Sequence, residues 1–205
     1  MKECISKVLD ILEKQSNLEK TRKVDVPQKD RMLAITKETG ELLNIILRLR
    51  DAKNILEIGT STGYSTIWCA EAIYERSGKI ITIENNPGKI KRASKNFQNA
   101  QISDIITIKE GNAIDILNEL KIDEKNNEFF DFVLIDADKE NIMQYFDLIL
   151  PMVTIGGIVV TDNMLYPEKY REEMGKFSNH LKKNTSVRTT TVSIGNGEEI
   201  TFKIK

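Results

Sequence analysis

Two short stretches of this chain carry side chains suited to chemistry, and both stand where an apolar run ends. Ile135-Asp136-Ala137-Asp138-Lys139 closes one run and Val160-Thr161-Asp162-Asn163 closes the next. Asp136, Asp162 and the amide oxygen of Asn163 are hard donors; with water and substrate oxygens they would complete an octahedral shell for Mg2+ or a similar dication such as Ca2+ or Mn2+. Zinc is disfavoured, because no cysteine or histidine joins the group. One aspartate alone reads as a helix cap or turn residue, and it is the joint occurrence of the set that points to a metal. Lys139 beside such an ion would feel positive charge and desolvation, both of which depress a lysine pKa toward the range of a general base. Without the ion it is a surface lysine.

A third stretch, Glu57-Ile58-Gly59-Thr60-Ser61-Thr62-Gly63-Tyr64-Ser65, is a glycine turn at the start of a helical pattern. Gly59 lets the backbone adopt unusual dihedrals and approach a ligand, while a helix N-terminus offers free N–H donors. A dinucleotide fingerprint would need Gly-x-Gly-x-x-Gly, but Ser61 holds the second position and the spacing fails again at Tyr64. Glu84, about 25 residues after Gly59 at the end of the next apolar run, is placed to accept both hydroxyls of a ribose. Turn and acid together suggest an adenosine-bearing cofactor; read separately, they are an ordinary strand-to-helix turn and a solvated glutamate.

These residues need elements that bring them together. Short β-branched runs at Asn54–Ile58, Lys79–Ile83, Ile105–Ile108, Phe130–Ile135 and Gly157–Thr161 alternate with helical patterns at Ser65–Arg76, Gly88–Ala100, Ala113–Leu120 and Asn141–Ile149. Strands alternating with helices predict a parallel sheet covered on both faces. Thr189–Ile194 and Glu199–Ile204 flank Gly195-Asn196-Gly197 with no room for a helix, which predicts a hairpin. The expected fold is α/β: a Rossmann-like, seven-stranded, mostly parallel sheet with helices on both faces and a C-terminal antiparallel hairpin. Open sheets of this kind bind ligands beyond the carboxyl ends of their strands, where all three stretches end. Residues 1–50 add two amphipathic helices, over residues 3–20 and Asp30–Leu49, that pack on the core, with a break or a close packing contact at Gly40.

With 205 residues, 40% hydrophobic and 30% charged, the chain has one domain's worth of sequence and enough apolar content for a core. No apolar run reaches the roughly 20 residues that span a bilayer, and Met1-Lys2-Glu3-Cys4 carries no export signal, so a cytoplasmic protein is expected. Cys4 and Cys69 suggest neither a disulfide framework nor a zinc site. A net charge of −1 lacks the basic bias of a dedicated nucleic-acid binder.

At this point the chain resembles the cation-dependent O-methyltransferases that include the catechol and caffeoyl-coenzyme A enzymes, members of the class I S-adenosylmethionine-dependent methyltransferases. The matching words are residues 56–65, Ile83-Glu84, Glu110-Gly111-Asn112-Ala113, residues 130–139 and residues 156–163. The resemblance implies S-adenosyl-L-methionine in the glycine turn. Glu57, Gly59, Thr60 and Ser65 would stand near its methionine end, the backbone of Ile35 and Thr36 would close over it, Glu84 would take its ribose, and Ala113, Asp136 and Asp138 would complete the contacts. It implies Asp136, Asp162 and Asn163 as metal ligands and Lys139 as the base, with Asp136 and Lys139 in the catalytic centre.

The implied acceptor is a catechol-like small molecule with neighbouring hydroxyls. A tRNA hydroxyuridine is the alternative, with Lys20, Arg22 and Lys23, or Lys89, Lys91, Arg92 and Lys95, against phosphate. After Asn163 the chain runs quickly through Met164-Leu165-Tyr166-Pro167 into a helical pattern at Glu168–Leu181, where plant members carry a longer substrate-covering insertion, so the acceptor stays open. Met164 and Tyr166 either line an acceptor pocket or pack beneath the loop, and His180 suits a solvated helix end. A nicotinamide oxidoreductase and a non-catalytic cofactor-binding module are the remaining alternatives, and a homodimer is expected.

Overall fold

The computed structural model describes all 205 residues. Seven strands, β1 (Asn54–Ile58), β2 (Lys79–Glu84), β3 (Ile106–Glu110), β4 (Phe130–Ile135), β5 (Val153–Thr161), β6 (Val187–Val192) and β7 (Glu198–Lys203), form one sheet in the order β3-β2-β1-β4-β5-β7-β6. The first five are parallel, and β7 runs antiparallel between β5 and β6. The expected mixed sheet with its closing hairpin is therefore what forms. Its central strands are apolar almost throughout because helices bury both faces, leaving no solvated face to ask for alternation.

Helices α1 (Glu3–Lys20), α2 (Lys37–Arg50), α3 (Tyr64–Ile73) and α4 (Pro87–Asn99) cover one face. There Leu9, Leu43, Ile67 and Phe97 share a core with Ile55, Phe132 and Leu134. Helices α5 (Ala113–Ile122), α6 (Ile142–Ile149) and α7 (Arg171–Lys183) cover the other, with Leu117, Phe146 and Phe177 against Leu56, Ile58 and Val133. The chain leaves β1 for α3 on the first face and β4 for α6 on the second. Between these adjacent strands the order reverses, which opens a crevice above Ile58 and Ile135.

Two expectations about boundaries are corrected, and of the two alternatives at Gly40 close packing is the one that holds. The second helix starts at Lys37, seven residues later than its apolar spacing suggested, because Thr36 caps it: Thr36 Oγ1 accepts the Thr39 N–H at 3.2 Å. Gly40 does not break that helix; a Cβ there would enter the Trp68 ring, so the glycine serves close packing of α2 on α3. β5 begins at Val153 rather than Gly157, with a register irregularity opposite Phe130–Phe132 that absorbs Gly156 at φ +81°.

Candidate active site

The strand ends are laced to one another just past the regular ladder. Gly59 N–H and Thr60 N–H donate to the Ile83 carbonyl at 3.0 and 3.1 Å, Asp136 N–H to Ile58 at 2.9 Å, Asp162 N–H to Ile135 at 3.1 Å and Gly111 N–H to Glu84 at 3.0 Å. Five consecutive positions across the sheet thus present their first loop residues to the same crevice. Gly59, at φ +103°, sits so close to β4 that a Cβ would overlap the Asp136 carbonyl oxygen.

Beneath the turn lies Glu57, 1% exposed on the face covered by α3. Its Oε1 accepts from Ser65 Oγ at 2.5 Å, and its Oε2 accepts from Thr66 Oγ1 at 2.5 Å and Thr82 Oγ1 at 2.6 Å. Thr60 Oγ1 joins Thr82 Oγ1 at 2.6 Å. Burial still pushes the Glu57 carboxyl above the usual carboxylate range, with the three hydroxyl donors acting the other way. Thr66 and Thr82 were missed by the sequence reading, although the register that pairs Glu57 with Thr82 follows from aligning the two strands. Glu57, Thr60 and Ser65 therefore build the turn from below.

Glu84 is half-buried, and backbone donors surround it. Oε2 accepts from Ser61 N–H at 2.8 Å, and Oε1 accepts from Asn85 and Asn86 N–H at 3.0 and 2.9 Å. The acid thus ties the end of β2 to the glycine turn, at the position where a ribose is expected. Ala113 follows it in space: Asn112 caps α5 through Oδ1, and Gly111 reaches back to Glu84.

At β4 and β5 the structure brings Asp136, Lys139 and Asp162 together. Desolvation and the Asp162 charge raise the Asp136 carboxyl to about 7, while Lys139 opposes the shift. Burial likewise raises Asp162, again against Lys139. Lys139 is 4% exposed and its Nζ has no hydrogen-bond partner. A residue missed by the sequence reading completes the cluster: Glu198, fully buried at the start of β7, whose carboxyl is raised to about 10 by burial and by Asp162. Asn163 lies at the rim with φ +67°, its N–H donating to Asp162 Oδ1 at 2.6 Å. No group of three or more His, Cys, Asp or Glu side chains is arranged to hold a metal ion by itself; the expected set has two carboxylates and an amide.

The raised Asp136 carboxyl has a consequence for stability. In the unfolded chain it ionises near 3.8, so between about pH 4 and 7 the folded chain keeps a proton that the unfolded one has lost, and folding weakens as pH rises. Asp136→Asn is therefore expected to raise the melting temperature by a few degrees at pH 8 in EDTA, with the gain shrinking toward pH 4. A thermal melt series across that range checks it; a gain of constant size would contradict the assignment.

The other expected positions vary. Ile35 is buried in the core and Thr36 caps α2 beside the hairpin turn. Asp138 is exposed and turned to its own helix, with Oδ1 accepting from the Asn141 N–H and side-chain amide and Oδ2 accepting from the Tyr145 hydroxyl. Met164 is 4% exposed and packs in the core, whereas Tyr166 is 63% exposed. His180 is exposed at the end of α7, with Nε2 3.3 Å from Asp147. Of the basic residues weighed for phosphate, Lys20 donates to the Ala34 carbonyl and Arg92 to Asp30 and Glu19, so both brace the N-terminal segment. No helix is long and apolar enough to cross a membrane.

Comparison with known proteins bears on the whole cleft. The family model described as O-methyltransferase matches residues 10–204. Catechol O-methyltransferase of Niastella koreensis is 34% identical over 171 residues, which is 79% of this chain and 76% of that protein. Caffeoyl-CoA O-methyltransferase 1 of Arabidopsis thaliana is 33% identical over 150 residues, 73% of this chain and 58% of its own length. Among solved structures, the O-methyltransferase TomG from Streptomyces achromogenes, involved in tomaymycin synthesis and in complex with SAM, superposes with a TM-score of 0.80 at 29% identity, over 100% of this chain and 91% of that one. The match runs through every element that laces the strand ends together, so the nicotinamide oxidoreductase reading falls away and the chain belongs to the O-methyltransferase family.

Proposed function

We propose that this enzyme transfers a methyl group from S-adenosylmethionine to a hydroxyl of a catechol-like small molecule, with a divalent cation, Mg2+ or another such as Ca2+ or Mn2+, held by Asp136, Asp162 and Asn163. The observation that carries this reading is the pair of desolvated aspartates, at neighbouring parallel strand ends, sharing the crevice of the Gly59 turn with a buried and unpartnered lysine. The donor set fits a hard dication: two carboxyls that burial raises, Asp136 further by the Asp162 charge, an amide at the rim, and no soft ligand. The names of the relatives, catechol and caffeoyl-CoA O-methyltransferase, support the acceptor class, and the SAM complex of the structural neighbour supports the donor.

When bound, the cation supplies Lewis acidity and a point of attachment for two neighbouring acceptor oxygens, and the sulfonium supplies the methyl group. The O–CH3 bond forms as the S–CH3 bond breaks, so no covalent enzyme intermediate is required. The protein's part is placement: the Gly59 turn and Glu84 hold the donor at β1 and β2, while Asp136 and Asp162 fix the acceptor at β4 and β5, so that two bound molecules react as if they were one. Lys139 Nζ is the group placed to receive the hydroxyl proton.

A methyl-transfer assay against catechols and hydroxycinnamoyl thioesters, with and without EDTA, tests the reading; turnover that EDTA leaves unchanged would remove the cation. Lys139→Met is expected to lower kcat by roughly 10²-fold, in the range of general-base removal, with donor affinity unchanged in a calorimetric titration. A Lys139→Met enzyme at full rate would take the proton role from this residue. For Glu84→Ala, loss of a charged acceptor should weaken donor binding by roughly 1.5–3 kcal/mol. Unaltered affinity in the same titration would dismiss its part in holding the donor.

A further inference from the structure

The closing hairpin delivers to the site a carboxyl that none of these roles uses. Glu198 is fully buried, and the antiparallel ladder that ends at Thr161 and Glu199 sets it, the first residue of β7, beside Asp162, the first residue past β5. Its Oε1 accepts from Thr39 Oγ1 at 2.9 Å. Its Oε2 is buried with no hydrogen-bond partner, and the carboxyl stands close enough to that of Asp162 to feel its charge. Thr39 Oγ1 is in turn 3.2 Å from Thr36 Oγ1, the cap of α2. Gly195, in the hairpin turn, is pressed against the same pair, so that a Cβ there would stand 2.8 Å from Thr36 Oγ1. A continuous line of side chains, Thr36, Thr39, Glu198, Asp162, therefore joins the start of α2 to the end of β5.

Two buried carboxyls face each other only when something positive lies between them, a proton or a cation. No three acidic side chains here are arranged to hold one ion, and Glu198 is already engaged by Thr39. A carboxyl with one oxygen taken by Thr39, set beside Asp162 by the strand register, is built to fix a rotamer. Partners of this kind orient the groups that do the binding.

We propose that Glu198 is a positioning residue for the methyl transfer: held by Thr39, it fixes the Asp162 carboxyl in the orientation that receives the cation and ties that orientation to the Thr36-capped start of α2. The inference rests on the cation site proposed above. It places a specific requirement on position 198, a side chain that hydrogen-bonds to Thr39 and brings a polar end to Asp162, which glutamine also meets and leucine does not.

Calorimetric titration of Mn2+ into the full chain loaded with S-adenosylhomocysteine reads this without turnover. Glu198→Gln is expected to bind Mn2+ within about threefold of wild type, whereas Glu198→Leu should bind about 10–100-fold more weakly, the range for loss of a partner behind a metal ligand. Thermal melts confirm that each variant folds, with Glu198→Met in reserve should leucine not be tolerated. Wild-type affinity in Glu198→Leu would overturn the proposal while leaving the cation site standing. Equal losses in Glu198→Gln and Glu198→Leu would overturn it in favour of direct ligation. A flat Mn2+ trace for wild type, with normal S-adenosylhomocysteine binding, would overturn the cation site and this inference with it.

Discussion

Replacing Asp162 with alanine should lower methyl transfer by about 10³-fold or more and abolish its response to added cation, while S-adenosylmethionine binds within a few-fold of wild type. A loss of that size corresponds to roughly 4 kcal/mol of transition-state stabilisation, within the several kcal/mol that a metal ion can contribute at a reacting oxygen. The separation of effects follows from the sheet. Asp162 hangs from the end of β5, tied to Ile135 of β4, whereas the Gly59 turn is tied to Ile83 of β2 on the far side of β1. Removing the carboxyl leaves those bonds intact. It also relieves the repulsion that raises Asp136 and Glu198, so the variant should fold at least as well as wild type. Steady-state kinetics with and without EDTA, beside a donor titration, measure both halves. A variant that turns over at the wild-type rate would remove Asp162 from the chemistry.

Gly59→Ala should have the opposite profile, damaging every function at once. At φ +103° an L side chain is strained, and here its Cβ would also overlap the Asp136 carbonyl, a backbone atom that cannot rotate away. Relief requires β1 and β4 to separate at the point where donor and cation sites meet. The expected cost is at least about 3 kcal/mol, or roughly 6–12 °C in Tm for a chain of this size. Donor affinity and cation affinity should fall together, in contrast to Asp162→Ala. An alanine variant that melts normally and still binds the donor would mean that the close approach of the two strand ends is not needed.

Much of this site was readable because its residues lie where apolar runs stop. The parallel sheet follows from strand and helix alternation, and the crevice follows from the sheet, so the sequence alone gathers Gly59, Glu84, Asp136 and Asp162 at one edge. Boundaries were less legible. Apolar spacing extended α2 back to Asp30 because Leu33 falls in phase, yet Leu33 is 67% exposed and the Thr36 hydroxyl ends the helix by capping it. Glu198 was invisible for a different reason. In Gly197-Glu198-Glu199-Ile200, adjacent acids read as a solvated strand end, but both are fully buried, one against Asp162 and the other among the hydroxyls of Ser178, Thr189 and Thr191. The neighbouring threonines were the available signal, since Thr189 and Thr191 offer the donors a buried glutamate needs. Position 198 carries no such mark in the local sequence, because its partners Thr39 and Asp162 come from distant segments.

Methyl transfer requires donor and acceptor sites to meet across the β1–β4 junction, and an anomalous-scattering map of crystals grown with Mn2+ and S-adenosylhomocysteine tests that most directly. The expected map has one strong peak touching oxygens of Asp136, Asp162 and Asn163, with the homocysteine sulfur in the Gly59 turn on the same side of the sheet. A cation bound elsewhere, or no peak at these oxygens while the homocysteine lies in its turn, would contradict it.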